Sequence, residues 1–243
     1  MYLLSAPWQR LDNVDTLSTT REGGVSKAPF LNMNLGLHVG DNKNHVLQNR
    51  ALLTKKLPAP AIWVNQTHSA DVIVVDEQFD FTKLHDGDAL FTRLKSQPLA
   101  IMTADCLPIL LTSENGEEIA AIHGGWRGLE RGIIKNTLSY FKTTPIKIHA
   151  WLGPAIGPTQ FEVGEEVFNL FKAHSALFTH AFKLIKNKKY LADIYHIARI
   201  QLQQLGVTNI SGGEHCTVLQ KEQFFSYRRD GQTGRMASLI WRK

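Results

Sequence analysis

Three short segments of this 243-residue chain carry the side chains best suited to chemistry. Gln66-Thr67-His68 offers an imidazole, Thr103-Ala104-Asp105-Cys106 a thiol, and His123-Gly124-Gly125-Trp126-Arg127-Gly128 a second imidazole. Each donor is expected at or near the end of a strand. Two histidines and one cysteine suffice to hold Zn²⁺ and leave its fourth position open, which is typical of catalytic rather than structural zinc. The sequence therefore predicts an enzyme with a Cys/His centre formed by His68, Cys106 and His123.

The cysteine of this centre lies in an otherwise apolar run over residues 99–112. Free cysteine is often buried as ordinary packing. Asp105 changes that interpretation, because a buried carboxylate needs a polar partner and breaks in core patterning are expected at functional sites. An alternative stays open, in which Cys106 is a nucleophile and His123 or His68 is its base.

The turn after His123 indicates a ligand site. Gly124 and Gly125 permit a tight turn and the close approach of a ligand, and the next helix offers free N–H groups that favour an anion. Trp126 presents a flat face to an aromatic group, and Arg127 presents a planar cationic fork to phosphate or carboxylate. Arg228 and Arg229, with Arg235 beyond the following turn, are further candidates for anion binding. The alternatives are an ordinary strand–helix turn with a core tryptophan and an exposed charged hairpin.

Composition narrows the class of protein. The 27 Lys and Arg residues against 22 Asp and Glu give a net charge of +5, an excess compatible with an anionic small molecule and too diffuse to predict a nucleic-acid partner. The two cysteines, Cys106 and Cys216, form no disulfide framework. The N-terminus does not resemble a signal peptide, and no apolar run approaches the roughly 18 residues of a membrane span. We therefore expect a cytoplasmic protein without a membrane partner.

Periodicity predicts interleaved strands and helices without a regular βαβ repeat. The expected fold is α+β, with mixed β-sheets, flanking helices and a single domain over residues 1–243. Helices are predicted over residues 42–56, 129–141, 163–174 and 189–205. Strands are predicted over residues 15–20, 61–75 (as a pair), 88–93, 99–112, 118–123, 146–152 and 207–210, with a hairpin over 224–241.

At these motifs the chain resembles the bacterial YfiH-like laccase-domain family, once labelled multicopper polyphenol oxidases. The matching motifs beyond the three donor segments run nearly end to end: residues 18–26, Asn34-Leu35-Gly36, residues 151–158, Phe161-Glu162-Val163-Gly164 and residues 224–230. Two departures are visible. Gly124 stands where the family often has alanine. Thr159-Gln160 replaces a pair that contains cysteine in other members, which weakens the case for several metals.

The resemblance implies a mixed-sheet fold shared with some Cys/His toxins and a zinc site made of His68, Cys106 and His123. It also implies phosphorolysis of inosine, adenosine and methylthioadenosine, together with adenosine deamination, so the expected ligands are a nucleoside and phosphate. On this interpretation Arg127, Arg228 and Arg21 hold phosphate and Trp126 stacks on the base.

Three alternatives stay open. Older assignments in this family give copper-dependent oxidation of phenols. Some relatives are linked to the correction of peptidoglycan precursors, which a Cys/His hydrolase could carry out. The third alternative is a non-catalytic binding protein with structural zinc.

Overall fold

The computed structural model describes residues 3–8 and 11–243, in which runs of strands are separated by helices. The strands within these residues are β1 (Leu3–Leu4), β2 (Val14–Thr19), β3 (Val72–Val75), β4 (Ala89–Thr92), β5 (Leu99–Thr103), β6 (Leu107–Ser113), β7 (Ile119–Gly124), β8 (Ile148–Leu152), β9 (Glu162–Gly164), β10 (Phe182–Leu184), β11 (Lys189–Ala192), β12 (Asn209–Gly212) and β13 (Met236–Arg242). The helices are α1 (Lys43–Thr54), α2 (Trp126–Glu130), α3 (Ile133–Leu138), α4 (Glu165–His174), α5 (Ile194–Gln204) and α6 (Tyr227–Asp230), with 3₁₀ turns at Pro145–Lys147 and Ala176–Ala181.

The largest sheet has six strands in the order β12-β8-β6-β7-β4-β3. Strand β6 is antiparallel to both of its neighbours, whereas β12 pairs with β8 and β3 pairs with β4 in parallel. Every residue of β6 and β7 is buried, as expected for central strands covered on both faces. Helices α3 and α5 pack against this sheet through a shared apolar cluster that includes Ile133, Ile197 and Phe91. The predicted mixed-sheet α+β fold is therefore confirmed.

A second sheet has the order β1-β2-β13-β5. Its central strand β13 is antiparallel to both β2 and β5. The side chains of Ser18 and Ser238 share a buried hydrogen bond of 2.8 Å across β2 and β13. A third sheet, β10-β11-β9, lies apart from the donor residues in the sequence.

The chain passes between the two larger sheets at residues 104–106. Strand β5 ends at Thr103 in one sheet, and β6 begins at Leu107 in the other. Asp105, at this crossing, has a φ of 96°, a left-handed conformation that is uncommon outside glycine. The predicted interruption of the apolar run over residues 99–112 is thus the point where the chain changes sheets.

Four predictions about local structure are wrong. The segment 224–241 is not a hairpin, because Ser226 accepts a hydrogen bond from the Arg229 N–H and starts helix α6. The predicted helix 129–141 breaks at Gly132, whose φ is 84°. The predicted helix 189–205 begins as strand β11. Of the predicted strand pair over 61–75, only β3 forms. No helix in the described ranges is long and apolar enough to cross a bilayer.

Candidate metal centre and adjoining cavities

The structure brings the three predicted donors together. The ligand atoms of His68, Cys106 and His123 all lie within 4.8 Å of one another, and the Sγ atom of Cys106 is 3.8 Å from Nε2 of His68. His123 comes from the buried end of β7, and Cys106 from the crossing between β5 and β6. His68 is exposed and lies in the loop before β3 with a φ of 59°, so its backbone is turned rather than extended.

Asp88 holds two of these donors in place, and sequence reasoning did not single it out. Its carboxylate is fully buried. It accepts hydrogen bonds from the backbone N–H groups of Thr67 (3.1 Å), His68 (3.0 Å) and Ser69 (2.7 Å). It also accepts a 2.7 Å hydrogen bond from Nδ1 of His123. One carboxylate therefore fixes both the turn that presents His68 and the ring of His123.

The hydrogen bond to Asp88 also selects the tautomer of His123. A carboxylate only accepts, so Nδ1 carries a proton, and Nε2 is the ring nitrogen that can bind a ligand once it is deprotonated. Histidine ligands commonly donate their other ring N–H to a carboxylate in this way. Burial lowers the pKa of His123, but the charges of Cys106 and Asp88 and the hydrogen bond to Asp88 outweigh it and raise this pKa.

The thiol of Cys106 is biased toward the thiolate. Burial acts to raise the pKa of this half-buried group, but the charge and hydrogen bonding of His123 and His68 outweigh it and lower the pKa. The thiolate is the form of cysteine that binds metals and that acts as a nucleophile. Both chemistries considered from the sequence are therefore served by the same arrangement.

The residues present fit one metal ion. A thiolate and two imidazoles are typical zinc ligands, and the structure preorganises them through Asp88. Gly125 makes room for them, because a Cβ atom there would lie 2.9 Å from Cδ2 of His68 and 3.3 Å from Sγ of Cys106. In the part of the chain that the structure describes, this is the one group of three or more His, Cys, Asp or Glu side chains arranged to share an ion.

The neighbouring carboxylate, Asp105, is directed elsewhere. It accepts 2.6 Å hydrogen bonds from the hydroxyl of Thr217 and from the backbone N–H of Arg228. The polar partner expected from the sequence therefore exists, and it is a hydroxyl and a helix N–H rather than a metal. This contact joins the crossing at residues 104–106 to the start of α6.

Two cavities adjoin the centre, and His68, Ala104, Cys106 and Tyr227 line both. The first, which we call the Arg235 cavity, has a volume of about 360 Å³ and is otherwise lined by His38, Gln66, Met102, Thr103, His123 and Arg235. The second, the Trp126 cavity, has a volume of about 310 Å³ and is otherwise lined by Asp105, Trp126, Arg127, Ile156, Phe161, Ile194 and Arg228. Two of the three donors, His68 and Cys106, therefore border both cavities, and His123 borders the first.

The structure divides the residues predicted to bind substrate. Trp126 and Arg127 line the Trp126 cavity, and the guanidinium of Arg127 lies 4.4 Å from the centre of the Trp126 ring. Arg228 lines the same cavity, but its guanidinium donates to the backbone carbonyl of Glu162 at 3.1 Å.

Arg21 is placed away from the centre, contrary to its predicted role. It lines neither cavity, and its guanidinium donates to the backbone carbonyls of Leu31 and Lys221. It lines instead a separate charged hollow with Glu22 and Asp230. The residues around Arg21 in the sequence did not predict this position, because its guanidinium contacts depend in part on Lys221, 200 residues away.

His38 and Gln66 are further residues of the site that sequence reasoning did not select. The side-chain amide of Gln66 donates to the Met102 carbonyl at 2.7 Å and accepts from the Met102 N–H at 2.8 Å. This pair ties the loop that carries His68 to strand β5. The position of Gln66 two residues before His68 was the available signal.

The chain matches a described protein family over most of its length. The sequence model of the multi-copper polyphenol oxidoreductase laccase family matches residues 15–243. A Haemophilus influenzae protein named purine nucleoside phosphorylase is 48% identical over 99% of both chains. The Escherichia coli K12 protein named purine nucleoside phosphorylase YfiH is 46% identical over 98% of both chains.

Solved structures agree with these matches. A crystal structure of a Neisseria meningitidis protein superposes with a TM-score of 0.96 at 44% identity and covers 100% of both chains. YlmD from Geobacillus stearothermophilus superposes with a TM-score of 0.91 at 32% identity, over 100% of this chain and 97% of that one. The likeness therefore extends over the whole fold.

Proposed function

We propose a function from one premise: this chain belongs to the multi-copper polyphenol oxidoreductase laccase family. It is a purine nucleoside phosphorylase that acts as one catalytic domain over residues 1–243 and uses a single zinc ion. The observation that carries the proposal is the His68–Cys106–His123 cluster, of which His68 and Cys106 border two adjoining cavities. Two adjoining cavities beside one set of donors suit a reaction between two substrates. The names of the Haemophilus influenzae and Escherichia coli relatives support the same activity.

The Trp126 cavity takes the nucleoside. Trp126 and Phe161 offer aromatic faces, and Ile156 and Ile194 complete a largely apolar lining. Aromatic pairs prefer offset or edge-to-face stacking, which suits a flat purine. Inosine, adenosine and methylthioadenosine share this base, and the proposal includes their phosphorolysis and the deamination of adenosine in the same pocket.

The reaction transfers the glycosyl group to phosphate. An oxygen of phosphate forms a bond to C1′ of the ribose, the C1′–N9 bond breaks, and its electron pair leaves with the purine, which then takes a proton. Arg127 lines the Trp126 cavity and offers N–H donors to the charge that develops on the purine. Asp88 keeps the proton on Nδ1 of His123 and so keeps that ring aligned.

Zinc, when bound, supplies a fixed positive charge and Lewis acidity beside the two cavities. His68, Cys106 and His123 would hold it. Copper is the alternative cofactor, as the name of the family suggests. Within residues 3–8 and 11–243, the structure offers one three-donor group, whereas a multicopper oxidase needs several copper sites. The donor set therefore favours a single metal.

A second candidate function has a specific observation in its favour. Asp88, His123 and Cys106 form a carboxylate–imidazole–thiol series, which is also the arrangement that activates a cysteine nucleophile. A hydrolase acting on peptidoglycan precursors would use the series without a metal. The two candidates differ in their need for zinc and phosphate.

The decisive experiment compares zinc-loaded, copper-free enzyme with metal-free enzyme. Zinc-loaded enzyme is expected to release hypoxanthine from inosine only with phosphate, and to convert adenosine to inosine without it. Full activity of metal-free enzyme would favour the cysteine nucleophile. An absence of nucleoside turnover, with oxygen uptake on phenols after copper is added, would establish the oxidase instead.

A further inference from the structure

We propose that the Arg235 cavity binds inorganic phosphate. The inference deepens the proposed phosphorylase function and rests on it for the role of phosphate as co-substrate. It reassigns phosphate from Arg127, the first candidate in sequence, to the adjoining cavity. An attacking phosphate and a leaving purine occupy different positions around C1′ of the ribose, and two cavities that share His68, Ala104, Cys106 and Tyr227 offer them adjoining spaces.

The charge of the Arg235 cavity favours an anion. Its lining contains no Asp or Glu, whereas His38 and Arg235 both line it. A second guanidinium lies just behind the lining, because Nη2 of Arg50 is 3.7 Å from Sδ of Met102. Among the ion pairs of the described residues, neither Arg50 nor Arg235 has a carboxylate partner. Two half-buried cations without an ion-pair partner favour a bound anion.

The two arginines are held in place by one backbone segment. The N–H of Leu35 donates to the carbonyl of Arg235 at 3.1 Å, and the carbonyl of Leu35 accepts from Nε of Arg50 at 3.0 Å. Oδ1 of the buried Asn34 accepts from the Arg235 N–H at 2.9 Å. The Asn34-Leu35-Gly36 motif therefore anchors the backbone of Arg235 and the guanidinium of Arg50. Preorganised donors lower the ordering cost of binding a ligand.

The directions in which the pKa values of these groups shift agree with this geometry. Partial burial, followed by the charges of Arg235 and Arg50, lowers the pKa of His38. Burial lowers the pKa of Arg50 to about 10 and also lowers that of Arg235. All three shifts have the sign expected for cations gathered in a space from which water is partly excluded.

The Trp126 cavity is less suited to phosphate. Asp105 contributes a carboxylate to its lining, whereas the lining of the Arg235 cavity has none. Arg127 is exposed and lies over the Trp126 ring. This contrast favours the purine base in the Trp126 cavity and phosphate in the Arg235 cavity.

Steady-state kinetics of Arg235→Gln test the assignment, with Arg127→Gln as the matched control from the other cavity. Hydrogen bonds to charged groups contribute enough that Arg235→Gln should raise the KM for phosphate by about tenfold or more. The KM for inosine should change much less. Arg127→Gln should show the reverse. An unchanged phosphate KM in Arg235→Gln, with phosphorolysis intact, would overturn the assignment and leave the phosphorylase function standing.

Binding measured without turnover separates the two proposals. Inorganic phosphate is titrated calorimetrically into zinc-loaded wild-type enzyme, Arg235→Gln and His38→Glu. The last variant changes an exposed residue and keeps the test valid if Arg235→Gln fails to fold. Both variants should weaken phosphate binding, even if no nucleoside is turned over. Undiminished phosphate binding in a folded variant would overturn the site. Weakened binding of inosine 5′-monophosphate alone would also overturn it, because the anion held would then belong to a nucleotide.

Discussion

The carboxylate of Asp88 accepts a 2.7 Å hydrogen bond from Nδ1 of His123, 35 residues further along the chain. The pairing of β4 with β7 makes this contact possible, because Ala89 lies opposite Ile122 in the sheet. The same carboxylate receives three consecutive backbone N–H groups of the His68 loop. The pairing of β4 with β7 therefore positions Asp88, which in turn holds two donors of the candidate metal centre.

Asp88→Asn should lower zinc affinity by about 10- to 100-fold, the usual cost of losing a partner behind a metal ligand. Asparagine keeps the shape of the side chain, but its amide can donate a hydrogen bond to Nδ1 of His123 and so allow the other tautomer. The measurement is zinc content after dialysis against graded chelator. Asp86→Asn is the matched control, since Asp86 is exposed and bonds only to Asn65 among the contacts described. Equal zinc retention in both variants would contradict the role given to Asp88.

Cys106→Ala should empty the metal centre and abolish turnover while the fold persists. The other cysteine offers the comparison. Cys216 accepts a hydrogen bond from the Gly157 N–H at 3.2 Å and reaches neither cavity, so Cys216→Ala should lose little activity. Zinc content and thermal unfolding are measured on both variants. Parallel losses of activity and stability would mean that Cys106 is a packing residue.

Gly125→Ala should weaken metal binding more than it weakens the fold. Its new Cβ atom would meet His68 and Cys106 directly. Gly124→Ala is the control, because its Cβ atom would face the carbonyl oxygen of Leu107 at 2.8 Å rather than a donor side chain. Chelator titration and urea unfolding separate the two effects. Equal zinc affinity in the two variants would contradict the crowding argument.

Glu118→Gln should destabilise the protein by about 1–3 kcal/mol near neutral pH, the usual contribution of hydrogen bonds to a charged group. Burial raises the pKa of Glu118, but the N–H groups of Lys142 and Thr143 and the Arg93 guanidinium outweigh it and lower this pKa. A lowered folded-state pKa stabilises above the ordinary glutamate pKa, and this contribution is lost as pH falls through the folded value. Urea unfolding from pH 7 downward should show the two proteins converging. A constant difference at all pH values would contradict the assignment.

The sequence was sufficient to predict the cluster of His68, Cys106 and His123. Their segments combine rare donor types with glycine, or with Asp105, a carboxylate in an apolar run. It was insufficient for Asp88 and His38. Their roles depend on pairings between distant segments, such as β4 with β7 and residues 34–36 with residue 235. Local pattern does not encode such pairings.

A helical segment was also mistaken for an extended one where a helix cap interrupts the pattern. Residues 224–241 have the composition of a hairpin, yet Ser226 caps a helical turn and Asp105 accepts the Arg228 N–H at its start. The strand that follows then finds partners more than a hundred residues away. A tertiary contact from the crossing at Asp105 thus decided the local structure.

The position of β13 between β2 and β5 has a consequence for the nascent chain. Until residues 236–242 have left the ribosome, β5 has no partner in that sheet and β2 has only β1. Since β5 leads directly into the segment that carries Cys106, the pocket remains unfinished until those residues emerge. Metal loading is therefore expected after synthesis, so that a stalled ribosome would hold a chain with no competent centre.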